Sequence, residues 1–256
     1  MDAPPLIKEG HPPTPELPRM SLAAKLLNVF AVPGEVFNDV KTTPRMVSNW
    51  LVPVVLGALV GAVWAVLQLS QPTFQKQFHD WQHKFIDQAE KTRKLSPQEQ
   101  NIVEKMTGPT MVRICGATGA VAGSFIGVLW WGFILWFIAR RMLKAPVGFG
   151  KALEVAGLAM MIDVLCGLVA VLLIVNLEKV GTTSNLTLLV KDVDAVRKGH
   201  FSTVAAIFTF WVLGVRSIGL AKLADVPYFR AAWFVISVWF LLQLLLIMTG
   251  VAQMAM

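Results

Sequence analysis

The sequence predicts an all-α integral membrane protein: a five-span helical bundle, preceded by amphipathic N-terminal helices and carrying an extracytoplasmic helical hairpin. Three observations predict it. Hydrophobic residues make up 55% of the chain and charged ones only 15%, whereas soluble domains run to roughly half apolar and a quarter charged. The apolar residues are gathered into blocks of about 20, the length a helix needs to cross a hydrocarbon core of about 30 Å. The blocks do not alternate apolar and polar residues as barrel strands would, and only helices or closed barrels satisfy the backbone in lipid.

Residues 1–20 carry Pro4, Pro5, Pro12, Pro13, Pro15 and Pro18 and no apolar core of a signal peptide. They read as a disordered cytosolic tail, too poor in apolar surface to order itself. In residues 21–49, Leu22, Leu26, Val29 and Phe30 share one helical face. Pro33 restarts the chain, and Val36, Phe37 and Val40 form a second apolar face. These stretches are predicted as interfacial amphipathic helices lying in the inner leaflet. The alternative is packing on the cytoplasmic ends of the bundle.

The membrane domain occupies residues 50–256, with spans at about 50–69, 111–138, 152–177, 201–223 and 231–251. The hairpin is placed at about 70–110. There Phe74, Phe78, Trp81 and Phe85 follow a helical period, and Ser96-Pro97-Gln98-Glu99 is a capping box with proline at the first helical position. Ile102, Val103 and Met106 supply the apolar side of its second helix.

Orientation follows from the basic residues. The link after the second span carries Arg140, Arg141, Lys144 and Lys151, and the link after the fourth carries Lys222 and Arg230. Short basic links belong in the cytoplasm, which puts the N-terminus inside and the C-terminus outside. The long first connection is basic too, but long loops cross largely regardless of charge. The expected location is the cell inner (cytoplasmic) membrane, multi-pass. The net charge of +7 flanks apolar blocks and forms no nucleic-acid stripe, so it reads as topology determinants and contacts with anionic headgroups of the lipid bilayer. Cys115 and Cys166 fall inside spans and read as small apolar packing residues, not as a disulfide framework.

Asp163 stands out most. It lies about 11 residues into the third span, near mid-membrane at about 1.5 Å per residue, and an ionisable group at that depth is a functional-site hypothesis by default. Arg216, toward the inner part of the fourth span, is its candidate partner. Together they form a structural ion pair, a protonated hydrogen-bonded carboxyl, or a proton or ion relay; Arg216 alone could instead snorkel to the interface. Gly57 and Gly61, and Gly119, Gly123 and Gly127, are four-residue rows that allow close helix approach. Packing of the first span on the second is the first reading, and contact with a second copy the other. His79 and His83 sit one turn apart around Asp80 and, with His200, are the only candidate metal ligands. The pattern imitates the zinc-protease H-E-x-x-H, and the plainer reading is a solvated helix face. Eight of the tryptophans lie in or beside spans, as interfacial belt or helix packing. No P-loop, dinucleotide fingerprint or nucleophile elbow appears, and no cofactor is expected.

Three stretches carry a family resemblance. Residues 24–56, AKLLNVFAVPGEVFNDVKTTPRMVSNWLVPVVL, resemble the opening of bacterial members of the Yip domain (Ypt-interacting-protein) family, where a short P-x-x-VF helix precedes a span led by Trp and Pro. Residues 145–175 resemble that family's basic, Gly-containing link into its third span, and residues 201–221, FSTVAAIFTFWVLGVRSIGLA, its fourth span. Asp163 departs from the pattern, standing where such proteins commonly show small residues or proline. The resemblance implies a five-span fold with a cytosolic N-terminus. In eukaryotic relatives it implies trafficking roles with small GTPases, and in bacterial-type members no settled activity. Two functional classes follow: a non-enzymatic protein that organises or shapes membrane or recruits partners, and a channel, transporter or lipid-moving protein using Asp163 and Arg216. A membrane metalloenzyme would rest on His79 and His83 alone.

Overall fold

A computed structural model describes residues 19–71, 74–75, 98, 102, 105, 108–183 and 193–248, with the side chains of 176–183, 193–205 and 246–247 left aside. The predicted tail and almost all of the predicted hairpin lie outside the described residues.

Seven helices form within them: α1 (Leu22–Asn28), α2 (Pro33–Thr42), α3 (Ser48–Leu69), α4 (Pro109–Phe137), α5 (Phe149–Thr183), α6 (Val193–Ala224) and α7 (Tyr228–Met248). No strand occurs among the described residues. Helices α3 to α7 are long and apolar enough to cross a membrane, so the chain is a multi-pass membrane protein.

Local chemistry explains the boundaries. The Ser21 hydroxyl accepts a hydrogen bond from the Ala24 N–H at 3.2 Å and caps α1. Pro33 opens α2 and Pro109 opens α4 within the first turn, where a missing N–H costs nothing. Thr43 is extended because Pro44 follows it, and α2 ends there. Helix α4 runs into a π-helical turn, Ile138–Met142, ended by Lys144 in left-handed backbone at φ 56°. Asp225, at φ 53°, ends α6 in the same way, and Pro227 leads into α7.

Helices α3, α4 and α5 pack against one another, α6 packs on α5, and α7 packs on α6. All five spans have one end on the same side, where α1, α2, the 138–148 link and the 225–227 turn meet. We refer to this as the capped end. Close approach there is set by Gly157 of α5, where a Cβ would lie 2.3 Å from the Trp50 Cα and 3.2 Å from the Asn49 carbonyl oxygen.

Helix α2 lies against α6 and α5. Val29, Val36, Phe37 and Val40 are completely buried and share one core with Leu135, Ile138, Val155, Leu158 and Leu213. These apolar faces thus lie against protein, the packing given above as the alternative to an interfacial placement of 21–49. The helix ends leave an apolar surface that needs a lid, and the two stripes fit it. The large apolar side chains that face outward from this region are Leu27, Val32, Met46 and Val47.

Candidate functional site

Two polar constellations are built into this apolar frame. The first lies under the cap. Asn49, in the first turn of α3, and Glu154, in the second turn of α5, are 0% and 1% exposed. The Asn49 Nδ2 donates to Glu154 Oε2 at 2.5 Å. Lys151, one helical turn before Glu154, places its ammonium 3.2 Å from Glu154 Oε1. The same ammonium donates to the backbone carbonyls of Val40 at 2.5 Å, Thr43 at 2.7 Å and Pro44 at 3.3 Å. Carbonyls at a helix C-terminus have no partner within the helix and carry its negative dipole end. One lysine thus satisfies the end of α2 and neutralises a carboxylate that α5 carries into the core.

A second ion pair holds the cap together from within. Lys25 of α1 lies 2.7 Å from Asp39 Oδ2 of α2, and the Met20 N–H donates to Asp39 Oδ1 at 3.1 Å. Burial pushes the Asp39 carboxyl up, but Lys25, the Met20 N–H and Arg19 together hold it below the usual carboxylate value.

The other constellation is at mid-span. Asp163 sits near the centre of the apolar stretch Phe149–Val175, and Arg216 lies about two turns before the end of α6 at Ala224. Arg216 Nη2 donates to Asp163 Oδ2 at 3.1 Å, and its guanidinium carbon lies 4.1 Å from the centroid of the Trp131 ring. An ion pair and a cation–π contact thereby join α4, α5 and α6. The Arg216 side chain is 8% exposed and that of Asp163 45%. Arg216 is turned toward its partner across the α5–α6 contact. Its Nε is buried without a hydrogen bond among the described residues.

The glycine rows are placed differently from one another. A Cβ on Gly57 would meet the flexible end of Met160 on α5, and one on Gly61 would meet Ala120 of α4 at 3.4 Å. At Gly119, Gly123 and Gly127 a Cβ would meet nothing within 4 Å among the described residues. The α3–α4 contact uses Gly61 and Gly116, the latter against Leu69, and not the α4 row. The reason is rotational: the row falls on a face turned away from α3, where Gly119 and Gly123 are exposed. His79 and His83 lie outside the described residues, and His200 belongs to α6 without a described side chain. No cluster of three or more His, Cys, Asp or Glu suited to a metal occurs among the described residues. Cys115 and Cys166 are free thiols.

Sequence reasoning overlooked Asn49 and Glu154 and read Lys151 only as a topology charge. A signal was present: a carboxylate in an apolar span, one turn after a lysine, is too costly to leave unpaired.

The protein-family model of the Yip1 domain matches residues 27–249. No curated protein and no solved structure matches the chain.

Proposed function

Because the chain belongs to the Yip1 domain family, we propose that it is a non-enzymatic protein that organises membrane by recruiting partners to its capped end, with that end in the cytoplasm. The observation that carries the reading is the cap itself: two short helices tied to each other by Lys25 and to the start of α5 by Lys151, forming a firm surface instead of a flexible arm. Residues 19–49, 138–154 and 222–230, which build this end, hold ten basic residues against four acidic ones. That balance favours the cytoplasmic side, with the N-terminus in and the C-terminus out of the cell's inner membrane. It also favours anionic headgroups and acidic protein surfaces as partners. Since the apolar faces of α1 and α2 are covered, membrane shaping by this protein works through what the cap gathers, other membrane proteins or further copies of the chain, and not through a leaflet wedge.

A second reading, transport or lipid movement along Asp163 and Arg216, draws on the half-open carboxylate at mid-span. Two measurements on the full chain separate the readings. Photo-crosslinking residues at Arg141 and Lys144 are expected to yield discrete protein adducts that the lipid-facing position Leu172 does not, while Asp163→Asn leaves ion and proton leak of proteoliposomes unchanged. Absence of adducts at the cap, together with a flux that Asp163→Asn abolishes, would replace the first reading by the second.

A further inference from the structure

A cavity of about 510 Å³ opens at the capped end, lined by Asn38 of α2, by Ile218, Ala221 and Lys222 of α6, and by Asp225 and Tyr228 around the α6–α7 turn. Small-molecule sites run from roughly 300 to 1,000 Å³, so the volume suits a headgroup. Three features give it a sign. The Lys222 stem crosses α2 at Gly34, its Cε 3.7 Å from where a Cβ there would lie, and its ammonium has no ion pair or hydrogen bond among the described residues. Lys41, one turn beyond Asn38 on the same face of α2, reaches across to Asp225 Oδ1 at 2.5 Å. The cavity also borders the N-terminus of the 21-residue helix α7, the positive end of its dipole.

We propose that this cavity binds the phosphate of an anionic membrane lipid, and that the Asp225 carboxylate holds the phosphate's place on Lys41 when no lipid is bound. The cavity lies at the turn between two apolar helices, Ala206–Ala224 and Tyr228–Leu245, so on this reading a lipid of the adjoining leaflet can enter it. Asn38 and Lys222 would contact the phosphate, with Lys41 joining as Asp225 swings away. The Lys41–Asp225 pair is largely exposed, 35% and 76%, and such pairs are worth little, so displacement is easy. The inference rests on the reading that the capped end lies at a membrane surface, and on no particular orientation.

The test uses the full chain in nanodiscs and detergent, with native mass spectrometry counting retained lipid. Wild type is expected to retain phosphatidylglycerol over phosphatidylcholine, and Lys222→Gln to lower that retention by about tenfold, as for one charge-assisted phosphate contact. Asp225→Asn removes the competing carboxylate while asparagine keeps the left-handed turn, so retention should rise about two- to fivefold. Arg140→Gln, at the same end but away from the cavity, should change nothing. Equal loss in Lys222→Gln and Arg140→Gln, or lower retention in Asp225→Asn, overturns the site while leaving a diffuse headgroup attraction standing. Equal retention of both lipids by wild type overturns the site and the headgroup contact together. Glycerol 3-phosphate binding as tightly as the lipid overturns a membrane source for the phosphate.

Discussion

Lys151→Met is expected to destabilise the folded protein by about 3–5 kcal/mol, the scale on which removing one partner of a buried ion pair acts. The size follows from what is left behind. Glu154 stays 1% exposed with Asn49 as its one remaining donor among the described residues, and the carbonyls of Val40, Thr43 and Pro44 lose the ammonium that served all three. Methionine fills much of the lysine stem's volume, so packing loss contributes little and the effect reads as charge. Thermal unfolding in a mild detergent measures it. Because the contact ties α2 to α5, α2 should also become accessible to protease at temperatures where the spans remain folded. Adding Glu154→Gln should recover part of the loss, since a neutral amide can still bond Asn49 and needs no cation. A double variant no better than Lys151→Met would mean that the carbonyls, and not the carboxylate, dominate.

Arg216→Leu carries the second largest expected effect. It leaves Asp163 at mid-span with no cation, and insertion scales put a charge at a helix centre at roughly 2.5–3.5 kcal/mol. The variant should show a lower fraction of membrane-integrated chain and a lower unfolding temperature. Asp163→Leu combined with Arg216→Leu should be more stable than Arg216→Leu alone, because removing both charges avoids the orphan that removing one creates. Simple addition of the two single effects would show that the 3.1 Å contact carries no coupling.

These two sites differ in how far they can be read from the chain. The spans are legible because a bilayer imposes one length and one composition, and a block such as 231–251 has no other stable use. Asp163 and Arg216 are legible for the same reason in reverse, since a charge in such a block calls for a partner and few are at hand. Helix α5 begins at Phe149, three residues before the span expected from about 152, and so takes in Lys151, which the sequence assigns to the link. Its ammonium instead folds back onto α2. The Asn49–Glu154 bond joins residues 105 apart, and nothing local announces it. The cap was half legible: periodicity showed the apolar faces of α1 and α2, but not whether lipid or protein would cover them. Glycine spacing misled in part, since rows are visible in sequence while the side of the helix they occupy is not. Gly157, which belongs to no four-residue row, makes the tighter approach.

Cysteine accessibility tests the central claim most directly, that five helices cross the bilayer with the capped end in the cytoplasm. In a chain lacking Cys115 and Cys166, single cysteines at Lys144 and at Met256 would be challenged with a membrane-impermeant thiol reagent in intact cells. Labelling at 256 in intact cells, and at 144 only after permeabilisation, is the predicted result. Labelling of both positions under the same condition would contradict the odd number of crossings, and the reverse pattern would put the cap on the wrong face of the membrane.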